Sequence, residues 1–157
     1  MSGQTQRLSR VTLDDASIGR GNPDQEHERS IAIYDLLEEN TFALPGQAGP
    51  YALHLSMHDS RLVFSVRRED GPEIAQHVLA LSAFRPILKD YFMICESYYE
   101  AIRTATPTQI EALDNARRAQ HDEGAKLLAE RLEGKIETDF NTPRRLFTLV
   151  TALHWKG

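Results

Sequence analysis

Period-two alternation runs through Tyr51, Leu53, Leu55 and Met57, and again through Leu62, Phe64 and Val66. Each run predicts a strand with one apolar face. His58, Asp59 and Ser60 supply the turn between them. Setting Met57 opposite Leu62 brings Leu55 opposite Phe64 and Leu53 opposite Val66, so one face of an antiparallel hairpin stays apolar. The segment Glu69-Asp70-Gly71-Pro72 predicts a second turn leading to a third strand near Ile74 to Leu81, which makes a meander. Upstream, Val11 and Leu13 share one face of a short strand that can extend the same sheet to a fourth member.

Elsewhere the apolar spacing turns helical. Asn22, Pro23 and Gln25 suit the N-cap, first-turn and N3 positions of a helix running to about Asn40, with Asp24 and Glu26 complementing its positive end and Ile33, Leu36 and Leu37 buried. The run FALPGQAGP breaks the chain before the hairpin. Leu88, Phe92, Cys95, Tyr99 and Ile102 recur at spacings of four and three, a single stripe facing a core. Thr106, Pro107 and Gln109 form a capping-box sequence that opens a further helix ending near Gly134. A last helix carries Leu146, Leu149, Val150, Leu153 and Trp155. The expected architecture is α+β: an antiparallel meander of three to four strands packed against about four helices, with residues 1–6 a flexible tail and 7–157 a single domain.

Composition narrows the function classes. A chain of 157 residues buries a core without staples, and a net charge of −5 argues against nucleic-acid binding over a broad surface. The single cysteine makes neither an internal disulfide nor a cysteine-based zinc site. A polar N-terminus without a signal-peptide core, and the lack of an apolar run long enough for a bilayer, set the expectation of a cytoplasmic protein without membrane association.

Most chemical motifs reduce to structure. Cys95 lies mid-helix on an apolar stripe, where burial raises a thiol's pKa, and CESYYEAIR lacks the glycines and the arginine interval of a phosphatase loop. The glycines of IGRGNP precede a helix as a phosphate cradle would, but Asp24 and Glu26 oppose an anion there, and no Lys-Ser/Thr pair follows. His54 and His58 are separated by strand rise, Asp24 with His27 is too small a ligand set, and HExxH and G-x-S-x-G are absent. No metal or cofactor is expected. Carboxylates such as Glu38 with Glu39 and Glu96 with Glu100 read as solvated helix faces.

Two places resist that reduction. On the helix from Pro107, at ~100° per residue, Ile110, Leu113, Leu127 and Leu128 define an apolar face, yet Arg117, Gln120 and Gly124 fall inside it and His121 at its edge. Buried arginine and mid-helix glycine are both disfavoured. In one reading Gly124 permits close helix approach, and Arg117 and His121 pair with Glu96 or Glu100 across an interface. In the other these residues line a polar pocket with Tyr98 or Glu96, in which Arg117 takes an anionic group and His121 handles protons. The second place is Arg144-Arg145, two cations at a helix start where the dipole opposes them. Glu137 and Asp139 answer them internally, or a bound anion or an acidic partner patch does.

The segments NPDQEHERSIAIYDLLEEN, LKDYFMICESYYEAIRTATPTQIEALD, HDEGAKLLAERLEGKIETDF and RRLFTLVTALHWKG resemble uncharacterised protein family 0262 from about Leu13 to Gly157. The resemblance implies a bacterial cytoplasmic protein and brings no activity, cofactor or catalytic residue with it. Two functions follow from the residues. The first is a non-catalytic binding or regulatory module that meets a protein partner through Tyr98, Arg144-Arg145 and Trp155. The alternative is a small enzyme or metabolite sensor that binds an anion at Arg117, Gln120 and His121.

Overall fold

The computed structural model describes residues 5–154. Strand β1 (Leu8–Leu13) is followed by a four-residue helix α1 (Asp15–Ile18) and helix α2 (Pro23–Glu38). A two-residue strand β2 (Phe42–Ala43) precedes β3 (Tyr51–His58), β4 (Arg61–Arg68) and β5 (Glu73–Ala80). A 3₁₀ turn at Leu81–Phe84 leads into α3 (Arg85–Thr104), then α4 (Pro107–Leu132), β6 (Glu137–Thr138) and α5 (Thr142–His154). Trp155, assigned to the last helix by its spacing, lies outside the described residues, as does most of the expected N-terminal tail.

The hairpin has the register that its alternation predicts: Met57 pairs with Leu62, Leu55 with Phe64 and Leu53 with Val66. The turn is tighter than expected, because His58 stays in the strand opposite Arg61. Asp59 and Ser60 alone make the loop, both with positive φ (51° and 62°), the backbone that matches strand twist in a two-residue hairpin.

The sheet itself corrects an expectation. Its order is β1-β3-β4-β5, and β1 runs parallel to β3, so the sheet is mixed and not purely antiparallel. The cause is the connection: α1 and α2 lie between β1 and β3 in sequence, and a helical crossover returns the chain to the same end of the sheet. Helix α2 also stops two residues early, at Glu38. Asn40 is then free to bond β1 with its side chain, accepting from Leu8 N–H at 2.7 Å and donating to Leu8 C=O at 3.2 Å. The outer edge of β1 therefore gains an amide partner that is not a strand.

The capping boxes at Asn22/Gln25 and Thr106/Gln109 are both present. Helix α5 is the central helix, packed between α2 and α4, with Leu146, Phe147, Leu149 and Val150 all within the core. Its C-terminal carbonyls are met by Arg29, a residue with no apolar rationale on α2. Arg29 is buried, donates to the carbonyls of Ala152, Leu153 and Gly19, and lies 3.5 Å from Glu26. A cation at a helix C-terminus satisfies orphan carbonyls and the dipole together.

Candidate functional site

The glycine on α4 has a steric cause. A Cβ at Gly124 would overlap the ring of Phe147 on α5, so that ring lies directly against the α4 backbone. Phe147 in turn stacks on Phe84 (centroids 6.4 Å apart) and meets His121 (5.2 Å) and Tyr91 (6.3 Å) edge-on. The disfavoured glycine is where a ring of α5 takes the space of a side chain on α4.

Arg117 and His121 are half-buried, and each finds partners within the chain. Arg117 Nη2 bonds Asp114 Oδ1 at 2.6 Å on its own helix, and its guanidinium lies 5.2 Å from the centre of the Tyr98 ring. It also lies near enough to the Tyr91 hydroxyl to interact with it electrostatically. Its anion is therefore Asp114, not Glu96 or Glu100; Glu96 is exposed on α3. Gln120 is half-buried beside them. The His121 Nε2 to Thr148 Oγ1 distance is 2.7 Å. Burial first, and then the nearby Arg144, hold the His121 pKa below its ordinary value of 6.5, so the ring is neutral at neutral pH.

The arginine pair is also answered from within, by other residues than the spacing suggests. Arg144 bonds Asp122 at 2.6 Å, with its guanidinium 5.9 Å from the centre of the Phe140 ring, and Arg145 reaches Glu39 at 3.4 Å. Asp139 serves the backbone instead: it accepts from Thr142 N–H at 2.8 Å and from the Thr142 hydroxyl at 2.6 Å. Burial pushes its carboxyl up, and those bonds more than offset it, leaving the pKa below 3.8. The structure does bring His121 together with both arginines. They line one open cavity of about 240 Å³ with Asn141 and Thr148.

Thr148 also borders a second cavity, of about 140 Å³, whose walls are Tyr91, Phe92, Cys95 and Tyr99 on α3 and Glu28 on α2. Here the apolar stripe of α3 departs from expectation. Leu88 is buried and Phe92 and Cys95 half-buried, but Tyr99 is 62% and Ile102 51% exposed. The stripe continues beyond what covers it, and Ile31 on α2 is 42% exposed as well. Cys95 is no activated nucleophile, since burial pushes its thiol up despite Tyr91 and Arg117 nearby. Tyr91 is pushed up to about 12, chiefly by burial.

The IGRGNP loop is a capped helix entry. Its Gly21 N–H donates to Glu26 and its Asn22 N–H to Gln25, so the chain's own side chains occupy the amides a phosphate would take. His54 is bonded to Thr12 at 2.7 Å. Among the described residues no group of three or more His, Cys, Asp or Glu is arranged to hold a metal ion, and no helix is long and apolar enough to cross a membrane.

Fold and surface together define an α+β protein with a mixed sheet, a central helix and an open face between α2 and α3 floored by α5. The model of the uncharacterised protein family UPF0262 matches residues 5–156, and the chain belongs to that family of bacterial proteins. It is 62% identical over 156 residues to the UPF0262 protein of Bradyrhizobium sp. (strain ORS 278), covering 98% of this chain and 93% of that one. Identity is 63% over 154 residues with the UPF0262 protein of Azorhizobium caulinodans, covering 96% and 95%. The UPF0262 protein of Rhodopseudomonas palustris (strain BisB5) is 61% identical over 152 residues, covering 96% and 93%. No solved structure matches the chain.

Proposed function

We propose that this protein is a non-catalytic binding module that receives an amphipathic segment of a partner protein along the face between α2 and α3. The observation that carries this reading is the α3 stripe, whose last two members, Tyr99 and Ile102, lie open, with Tyr99 on the wall of a cavity. Contiguous exposed apolar side chains with polar rims mark interaction surfaces, and a helix laid into such a groove presents anchors at helical spacing. The opposite wall gives the partner a sign. Glu28 lines the α2 side of that cavity, and Asp35, Glu38 and Glu39 continue along α2 beside a neighbouring cavity bounded by Arg145 and Thr148 of α5, which favours a segment with basic residues flanking its apolar face. We place this activity in the bacterial cytoplasm, in keeping with a single cysteine that has no disulfide partner.

The test is photo-cross-linking in living cells from residue 102, with residue 78 on the outer face of β5 as the control position. A protein cross-linked from 102, absent from 78, and lost when Tyr99→Asp is added supports the reading. Equal or no cross-links at the two positions would overturn it. The alternative of a metabolite sensor or small enzyme centred on Arg117 receives less support, because Asp114 bonds that guanidinium at 2.6 Å, the Tyr98 ring lies 5.2 Å from it, and its Nε, without an acceptor, is enclosed.

A further inference from the structure

We infer that the start of α5 is a second binding site, for a small organic anion with an aryl or other apolar body, which meets the groove between α2 and α3 only at Thr148 and the Arg145 side of α5. Three elements build it: His121 from α4, Asn141 from the loop, and Arg144, Arg145 and Thr148 from α5. Arg144 and Arg145 occupy the first turn of α5, where the helix dipole adds to their positive field. Their internal counter-ions are held from the solvent side, since the Asp122 side chain is 52% and the Glu39 side chain 77% exposed. Neither exhausts the donors of its guanidinium, which carries five N–H groups. Arg145 Nη1 is enclosed without an acceptor, so this guanidinium is incompletely paired within the chain, and its accessible N–H groups at the cavity wall are the ones an oxyanion would meet.

The apolar half of the ligand comes from a separate observation. Arg144 is shared with an adjoining cavity of about 410 Å³, walled largely by apolar atoms of Ala125, Ala129, Phe140 and Pro143 and lined also by Asp122, Lys126 and Asp139, so that it takes the uncharged end of the ligand. Phe140 is 79% exposed at its mouth, the highest exposure among the large apolar side chains described. An exposed phenyl ring beside a guanidinium, with an apolar hollow beneath, suits a flat apolar group whose charged end lies between the arginines. A phosphate monoester and a carboxylate share this recognition chemistry.

Titration of the full chain with phenyl phosphate, benzoate and inorganic phosphate, followed by amide chemical shifts, tests the site. Saturable binding of phenyl phosphate or benzoate is expected, with shifts centred on residues 121 and 140–148. Phenyl phosphate winning over benzoate assigns a phosphate ligand, and the reverse a carboxylate; either supports the site. Inorganic phosphate should bind about tenfold more weakly than phenyl phosphate, a difference that Phe140→Ser removes. Arg145→Gln and, separately, Arg144→Gln should each weaken binding by about tenfold or more with an unchanged circular dichroism spectrum. No saturable binding of either aryl anion, or binding that ignores both arginine substitutions, would overturn the inference. Cross-linking at residue 102, on α3, tests the groove separately.

Discussion

Helices α3 and α4 lie side by side and treat their stripes in opposite ways. On α4 the polar residues within the apolar arc are absorbed: Arg117 by Asp114 and Tyr98, His121 by Thr148, Gly124 by the ring of Phe147. On α3 a run of five residues at regular apolar spacing is only half absorbed, and its Tyr99 end stands open. Polar residues in an apolar arc are conspicuous but mark internal joints. The regular stripe looks ordinary and leaves surface to spare, because helix periodicity reports which face is apolar and not how far a neighbour extends along it.

The largest effect that would break this contrast is steric. Gly124→Ala should destabilise the fold by roughly 2 kcal/mol in urea unfolding, because overpacking against Phe147 outweighs the gain of about 1 kcal/mol that alanine brings to an open helix. Adding Phe147→Leu should return part of the loss. A stabilised Gly124→Ala protein would mean that the glycine is not a joint.

Arg117→Met comes next, at about 1 kcal/mol. Its ion pair and ring contact are part-exposed, and Asp114 keeps a second partner in Arg118 at 3.1 Å. A double-mutant cycle with Tyr98→Leu isolates the ring contact.

Acid sharpens the comparison in a defined window. His121 and His77 both have folded pKa values held below 6.5, in each case chiefly by burial. The unfolded chain therefore binds more protons than the folded one as pH falls through 6.5 towards those lowered values, and stability declines across that interval. Thermal midpoints should drop between pH 7 and pH 5, less steeply in His121→Gln. Asp139, with its pKa below 3.8, adds a further loss only at lower pH, as its bonds to Thr142 are broken by protonation.

The smallest stability effect belongs to the open stripe. Tyr99→Asp and Ile102→Asp should each change unfolding free energy by about 0.5 kcal/mol or less, since both side chains are more than half exposed. A loss of 2 kcal/mol would show that the stripe is covered in the folded chain.

Much of the fold was legible where local chemistry and tertiary packing agree. The hairpin register follows from which residues keep one face apolar, and both capping boxes follow from side chains that bond their own helix ends. Other features depend on long-range placement. The parallel pairing of β1 arises from a helical crossover, and nothing in Val11 or Leu13 encodes its direction. The partners of Arg144 and Arg145 come from α4 and from the end of α2, whereas sequence proximity pointed to Glu137 and Asp139. Arg29 gave no signal except a cation among acids, because two of its three carbonyl acceptors are 123 and 124 residues away. Of the candidate site, His121 and the arginine pair were visible singly, but their convergence on one cavity was not. Phe140 leaves no signal in the sequence, because exposure of a lone aromatic in a loop has no periodicity to betray it.

The most direct test of the contrast sets two double variants side by side in the residue-102 cross-linking experiment, Arg117→Gln with His121→Gln against Tyr98→Phe with Tyr99→Asp. If α3 carries the contact surface, the first pair keeps the cross-linked partner and the second loses it while staying folded. Loss of the partner in the first pair and its retention in the second would contradict the account and return function to the polar face of α4.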